Sequence, residues 1–202
     1  GRKMLETGNW LTPQFDYGVP FWGKPPLSIW LTAVSFKIFG INEFAARLPS
    51  FMIGLIIISL IFKIGNPRGG KYDGWTASAI FATSLLPFVM IGAVLMDPAL
   101  TLGTTLVMVG FWQAINKEGR LWAYLCFIGL AIGLLAKGPV ALVLSGVPIG
   151  LWAIVQKQWP NIWQRLPVVK GSILMLLLTL PWYLMAERAT PGFLDYFLMD
   201  SQ

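Results

Sequence analysis

The sequence predicts an all-α integral membrane protein, and two observations support this: its composition and the spacing of its apolar runs. Of the 202 residues, 56% are hydrophobic and only 12% are charged, and the mean hydropathy is +0.67. Soluble domains carry about 25% charged residues. This chain therefore has too little polar surface to cover a water-exposed globule, and an ordinary soluble domain is excluded.

Six apolar stretches, separated by short polar connections, follow one another after the first 47 residues. Their ranges are 48–64, 75–96, 98–115, 121–137, 139–155 and 171–187. Each is close to the roughly 20 helical residues that cross a hydrocarbon core, and a helix satisfies its own backbone polar groups in lipid. Glycines inside these runs are expected to allow close helix packing. They are Gly54, Gly92, Gly103, Gly110, Gly129 and Gly133.

Basic residues are concentrated in alternate connections. The connections after the first, third and fifth stretches hold Lys63, Arg68, Lys71, Lys117, Arg120, Lys157, Arg165 and Lys170. The opposite side holds two basic residues after position 48, Lys137 and Arg188. Cytoplasmic loops carry such an excess, so both ends of this chain are predicted to be extracytoplasmic. The net charge of +6 is explained in this way, and no nucleic-acid partner is expected.

Residues 1–47 are predicted to form an extracytoplasmic loop with a helix in the membrane interface, and residues 48–202 a six-span domain ending in an extracytoplasmic segment. The apolar stretch 27–39 is too short for a comfortable span and has aromatic flanks, which favours an interfacial helix. Asp16 is interpreted as a turn residue rather than a catalyst. We expect an N-terminal span and a C-terminal part of the full protein to lie outside this partial chain.

Three ionisable residues fall at the extracytoplasmic ends of apolar runs, where such groups suggest function. Asp97 precedes Pro98, Lys137 precedes Gly138, and Lys24 precedes Pro25. Each also has a structural interpretation that stays open. Asp97 could simply begin a helix, Lys137 could extend to the headgroups, and Lys24 could anchor the chain to lipid phosphate.

Together, two lysines and an acid at one membrane face could hold a lipid-linked phosphate and orient a polar acceptor. Soluble nucleotide chemistry has no support, since the sequence contains neither a Walker loop nor a GxGxxG motif. It has no histidine and a single cysteine, Cys126, so zinc and Ser/His/Asp patterns are absent as well. We expect no cofactor and no metal bound by these residues, although a divalent ion could be recruited elsewhere.

Several short segments resemble the membrane glycosyltransferases of the protein O-mannosyltransferase and lipid A aminoarabinose transferase superfamily, families 39 and 83. They are residues 4–10 (MLETGNW), 21–31 (FWGKPPLSIWL), 39–40 (FG), 44–50 (FAARLPS), 96–98 (MDP), 136–139 (AKGP), 191–193 (PGF) and 196–197 (YF). They run through the whole chain in the family's order. The KPP and RLPS elements together are fairly specific, whereas DP or KGP alone would be weak.

The resemblance implies a GT-C type helical bundle in a bacterial inner or cell membrane. Such enzymes pass a sugar from a polyprenyl-phosphate donor to a lipid, glycan or protein acceptor on the extracytoplasmic side. By analogy Lys24 would contact the donor phosphate, Lys137 would assist in donor binding, and Asp97 would be a catalytic group. A departing phosphate needs positive charge, and an acidic residue would activate the acceptor.

Three departures from the family pattern qualify this assignment. The family's principal acidic residue usually lies upstream of the MLETG-like stretch, which would place it before Gly1. The position before the KPP lysine is often acidic and is Gly23 here, and a histidine expected near the end of the chain is absent. The last two departures weaken any claim of a metal site.

Two further functions are weighed against the enzyme. A secondary transporter would use Asp97 and Lys137 as coupling or substrate groups, but transporters often show inverted repeats and charges near the midplane. Here no repeat is visible and the charges lie at helix ends. A structural or lipid-binding subunit would leave the KPP element as an anchor only.

Overall fold

The computed structural model of this chain describes residues 1–21, 23–65, 71–85, 87, 89, 97–116, 119–195 and 197. The described part is built from α-helices and a small β-hairpin. Some residues singled out in the sequence lie outside these ranges: Trp22, Arg68, Gly92, Met96, Lys117 and Tyr196.

The first region begins with a short helix and a hairpin. Helix α1 spans Arg2–Thr7, and strand β1 (Gln14–Asp16) pairs antiparallel with β2 (Val19–Pro20). Asp16 ends β1 directly before the turn, as the sequence predicts for a turn residue. Helix α2 spans Leu27–Phe39, so the short apolar stretch is helical over the predicted residues. Its position in the membrane interface stays a prediction.

The remaining elements follow the predicted spans. They are α3 (Glu43–Gly65), α4 (Lys71–Thr83), α5 (Asp97–Ile115), α6 (Arg120–Lys137), α7 (Val140–Val155), α8 (Trp159–Arg165), α9 (Val168–Ala189) and the short α10 (Phe193–Asp195). Helices α3, α5, α6 and α9 are long and apolar enough to cross a membrane. The 16-residue α7 and the 13 residues of α4 are shorter. Much of the predicted span 75–96 lies outside the described residues.

Helix α3 begins five residues earlier than the span predicted from residue 48, and local contacts explain why. The Asn42 side chain caps the helix by accepting a hydrogen bond from the Ala45 amide at 2.8 Å. Pro49 lies inside the helix and cannot donate to the carbonyl of Ala45. The buried hydroxyl of Ser35 donates to that carbonyl instead, at 2.6 Å. A buried polar group is thereby satisfied, and α2 is fixed against α3.

Glycines bring α5 and α6 into close backbone contact, as predicted. A Cβ added to Gly103 would lie 2.7 Å from the backbone nitrogen of Gly133, and one on Gly129 would lie 2.8 Å from the Gly103 carbonyl oxygen. A Cβ on Gly110 would lie 2.8 Å from the Cys126 nitrogen. Larger side chains would force these helices apart. Helix α5 is the most buried of the four long helices, so this pair forms the centre of the described bundle.

The basic residues of the alternate connections meet at one end of the bundle. The Lys63 ammonium, at the end of α3, lies 5.9 Å from the ring centroid of Trp122 in the first turn of α6. Arg120, Arg165 and Lys170 line one cavity close by in the fold. An apolar cluster beneath them joins α5, α6, α7 and α8. Four of the charges that the sequence assigns to one membrane side therefore share one end of the structure.

Candidate active site

Asp97 and Lys137 form an ion pair between the neighbouring ends of α5 and α6. The Lys137 ammonium donates a hydrogen bond to Asp97 Oδ1 at 2.6 Å, and both side chains are about one third exposed. Asp97 is the first residue of α5 and Lys137 the last of α6, so each charge complements the dipole of its own helix. Among the described residues, Lys137 is the hydrogen-bond partner of this carboxylate, and no helix-capping bond accompanies it.

Gly138 fixes the direction in which α6 ends. Its backbone adopts a φ of 74°, which favours glycine, and its amide donates to the Leu134 carbonyl at 2.9 Å. A Cβ at this position would lie 2.4 Å from Cζ of Phe197. The ring therefore covers the residue next to Lys137. This contact explains why glycine follows the lysine in the AKGP element.

Lys24 lies at the same end of the bundle as the ion pair. Leu27, three residues after it, packs with Leu31 against a buried cluster that includes Ala99 and Ala136. Ala99 is two residues after Asp97, and Ala136 directly precedes Lys137. Since one turn of helix rises about 5.4 Å, Asp97 and Lys137 begin within a turn of this shared cluster, and Lys24 lies three residues before it in the chain.

The Lys24 side chain differs from Lys137 because it has no partner in the described structure. Pro25 and Pro26 beside it are fully buried and hold its backbone in place. The side chain is half-buried, and no described residue pairs with its ammonium through a hydrogen bond or an ion pair. A held but unpaired cation is available to bind an anion.

An apolar groove of about 400 Å³ lies close to this charged end of the bundle. Its walls come from α2, α3, α5 and α6. They are Leu27, Leu31, Val34, Ser35, Ile38, Phe39, Leu48, Pro49, Met52, Ile53, Ile56, Ala99, Leu102 and Ile132. Leu102 lies five residues after Asp97 and Ile132 five before Lys137, about 7.5 Å along each helix. The groove therefore begins less than two helical turns from both of these charged residues.

Aromatic side chains tie the first region to the same end. Trp30 donates to the Trp10 carbonyl at 2.7 Å, Trp182 to the Leu11 carbonyl at 2.9 Å, and Tyr183 to the Leu134 carbonyl at 2.9 Å. Sequence reasoning did not assign Trp182 or Tyr183 to the site. Both lie in the apolar run of α9. The sequence feature that could have pointed to them is that Trp and Tyr in an apolar run need a hydrogen-bond partner for the indole N–H or the hydroxyl.

The PGF element closes this aromatic cluster from the other side. Gly192 has a φ of 92°, and its amide donates to Glu187 Oε1 at 2.9 Å. The turn places the buried ring of Phe193 5.5 Å from that of Trp182, and stacks it 5.5 Å from that of Phe197. The C-terminal segment therefore supports the end of α6 that carries Lys137.

The structure brings together two of the three predicted site residues and places the third at the same end. The catalytic role of Asp97 and the phosphate-binding roles of Lys24 and Lys137 stay predictions. Within the described ranges, no three His, Cys, Asp or Glu side chains are grouped so that they could hold a metal ion. The expectation that no metal or cofactor is needed also stays a prediction.

Together these features define a class: a multi-span helical membrane protein with a charged site at the helix ends and an apolar groove below it. The sequence profile of dolichyl-phosphate-mannose-protein mannosyltransferases matches residues 1–197. The chain belongs to this family. The resemblance expected from the KPP, RLPS and AKGP elements is confirmed.

Curated relatives match nearly the whole chain. An undecaprenyl phosphate-alpha-4-amino-4-deoxy-L-arabinose arabinosyl transferase of Enterobacter sp. (strain 638) is 31% identical, over 97% of this chain and 36% of its own length. A protein of the same name from Pseudomonas savastanoi pv. phaseolicola is 28% identical, over 97% of this chain and 37% of its own length. The chain thus spans little more than a third of the curated relatives it matches.

Solved structures share the fold. ArnT from Cupriavidus metallidurans bound to undecaprenyl phosphate superimposes with a TM-score of 0.92 at 23% identity, covering 100% of this chain and 38% of that one. The apo state of the same protein gives a TM-score of 0.90 at 24% identity, with the same coverage. The predicted GT-C membrane bundle, of which this chain is a part, is confirmed.

Proposed function

We propose that the protein containing this chain transfers a sugar from a polyprenyl-phosphate carrier to a lipid, glycan or protein acceptor on the extracytoplasmic face of the membrane. The observation that carries the proposal is the ammonium of Lys24, which has no partner among the described residues and lies three residues before Leu27 in the wall of an apolar groove. A polyprenyl-phosphate sugar needs both features, an anion site for the phosphate and an apolar path for the isoprenoid.

The charges suit the reaction. The acceptor oxygen forms a bond to the anomeric carbon as the bond from that carbon to the phosphate oxygen breaks. The carrier leaves as a phosphomonoester with one more negative charge, and the acceptor proton passes to a base. Lys24 and Lys137 would stabilise the growing phosphate charge. Asp97 would hold Lys137 in place and act in proton transfer at the acceptor.

The relatives name a first donor. Their name specifies undecaprenyl phosphate-alpha-4-amino-4-deoxy-L-arabinose, while the name of the family specifies dolichyl-phosphate-mannose. We infer the 4-amino-4-deoxy-L-arabinose donor, called the arabinose donor below, because these relatives match 97% of the chain at 28–31% identity. The transporter interpretation is disfavoured, since Asp97 and Lys137 lie at the helix ends and the chain belongs to a transferase family.

The test uses the full-length protein in lipid nanodiscs with radiolabelled arabinose donor and a membrane lipid extract as acceptor. Changing Lys24 to Ala is expected to lower the transfer rate about 100-fold, because removal of one charge-stabilising group typically costs that much. Lys37→Ala is the matched control, since Lys37 is exposed near the far end of α2. We expect its rate to stay within twofold of wild type.

A binding measurement tests the phosphate site independently of the identity of the sugar. Undecaprenyl phosphate should bind the wild-type protein at least 10-fold more tightly than undecaprenol, and Lys24→Ala should remove this difference. Equal binding of phosphate and alcohol would reject the phosphate site. Normal phosphate binding without arabinose transfer would reject only the arabinose donor, and the mannose donor would then be assayed.

A further inference from the structure

A second charged cavity lies at the opposite end of the bundle from the candidate active site. It has a volume of about 420 Å³, within the range of ligand pockets. Three basic residues line it: Arg120 from the start of α6, Arg165 from the end of α8 and Lys170 from the first turn of α9. The described residues that line it include no carboxylate side chain.

These cations have no counter-charge in the described part of the structure, where none of the three forms an ion pair. Arg120 and Lys170 moreover stand at helix N-termini, where the helix dipole disfavours positive charge. Neither helix has an acidic residue in its first turn or a side-chain cap among the described residues. Both helix ends and all three side chains therefore favour an anion in the cavity.

The rim of the cavity is apolar. Trp163 and Val169 line it and are 62% and 67% exposed. Tryptophan is enriched at membrane–water interfaces, and an exposed valine beside it suits acyl chains better than water. The alternation of basic connections places this end on the cytoplasmic side, where the leaflet is rich in anionic lipid.

We propose that this cavity binds the phosphodiester headgroup of an anionic phospholipid of the cytoplasmic leaflet. Arg120, Arg165 and Lys170 hold the phosphate, and Trp163 and Val169 contact the start of the acyl chains. The site is separate from the proposed sugar-transfer site and does not depend on it. Its ligand is a lipid of the surrounding membrane, held as a structural partner.

Native mass spectrometry of the full-length protein with dioleoylphosphatidylglycerol tests the site. The double variant Arg165→Gln/Lys170→Gln should bind this lipid about 10- to 30-fold more weakly, because each cation near an anionic membrane surface contributes about a fivefold effect. Lys63→Gln/Lys157→Gln removes the same charge from the same end outside the cavity, and should bind as wild type does. Dioleoylphosphatidylcholine should bind all three proteins equally weakly.

Equal weakening in both double variants would overturn the proposal, because it would show general surface attraction. Inorganic phosphate that displaces the lipid at low millimolar concentration would assign the cavity to a soluble anion instead. Acetylation rates of lysines in the wild-type protein in nanodiscs provide a second measurement, which does not depend on whether a variant folds. Phosphatidylglycerol should slow the labelling of Lys170 several-fold and leave Lys157 unchanged, and equal rates would contradict the site.

Discussion

The two ends of the bundle differ in whether their charged side chains match the helix dipoles and form ion pairs. At the candidate active site Asp97 and Lys137 each match the dipole of their helix and pair with one another. At the opposite end, Arg120 and Lys170 are placed against the dipoles of their own helices and have no described carboxylate partner. Lys24, just ahead of α2, is also a cation near a helix N-terminus and has no described carboxylate partner. Cations placed before or at helix N-termini thus support the proposed anion sites, whereas Asp97 and Lys137 form a preformed pair at the same end as the first of these sites.

The largest expected effect comes from separating the helices that form the ion pair. Gly103→Leu would drive a side chain into backbone atoms of Gly129 and Gly133 at 2.7–2.9 Å. We expect a loss of about 3 kcal/mol or more in unfolding free energy, or loss of the folded protein. The measurement is thermal unfolding of the full-length protein in detergent.

Gly146→Leu is the matched control for this change. Gly146 lies in α7, and a Cβ added there meets nothing within 4 Å. Its unfolding temperature should stay close to wild type. Comparable destabilisation of both variants would mean that leucine is harmful in any of these helices, and that the close α5–α6 contact has no special role.

Asp97→Asn distinguishes a scaffold role from a chemical one. A partly exposed ion pair contributes about 1 kcal/mol or less, so stability should change little. The sugar-transfer rate should fall about 100-fold, in the range for loss of a general acid–base group. Asp73→Asn, in the first turn of α4, is the control and should transfer normally. Wild-type transfer by Asp97→Asn would leave the ion pair as a structural feature only.

Much of this arrangement was predictable because it depends on local sequence. Apolar runs and their length determine which segments span lipid, so α5 and α6 agree with their predicted ranges within one residue. The start of α3 was missed because Pro49 interrupts its hydrogen bonds, and the contact that compensates joins two elements. The carbonyl of Ala45, left without a helical donor by Pro49, is satisfied by Ser35 of another helix.

The residues of the candidate site could be predicted from the sequence, but the contacts between them could not. A charge that ends an apolar run is visible in the sequence, which is how Lys24, Asp97 and Lys137 were found. That Asp97 and Lys137 touch, while Lys24 has no partner among the described residues, depends on the packing of helices; the bonded pair is 40 residues apart. The hydrogen bond from Tyr183 to the Leu134 carbonyl could not be predicted from the sequence for the same reason.

Tyr183→Phe measures how strongly the aromatic cluster holds the end of α6. The change removes one hydrogen bond to the Leu134 carbonyl and keeps the ring. We expect a loss of about 1 kcal/mol in unfolding free energy, measured by chemical or thermal unfolding. Tyr124→Phe, at the opposite end and without a described hydrogen bond from its hydroxyl, should have a smaller effect. An equal loss would show that the bond to Leu134 adds nothing.

The smallest expected effect concerns the outer loop at the active-site end. Lys3 donates to Asp16 at 2.5 Å, and this contact, with the Tyr17 amide, lowers the pKa of Asp16 below its usual range. Hydrogen bonds from Tyr17 and Arg2 lower the pKa of Glu6 in the same way. Because both pKa values are lowered on folding, the stabilisation is complete above the usual values of about 4 and is lost as pH falls through the lowered ones.

Hydrogen exchange of residues 1–21 in the full-length protein checks this pH dependence. After correction for intrinsic rates, protection should be constant from neutral pH down to about 4 and should decrease below that. Both carboxylates are exposed, so the change should be modest and confined to this segment. The double variant Glu6→Gln/Asp16→Asn should show no such decrease, while α6 keeps its protection in both proteins. A decrease of the same size in the variant would mean that other groups cause the pH dependence of this loop.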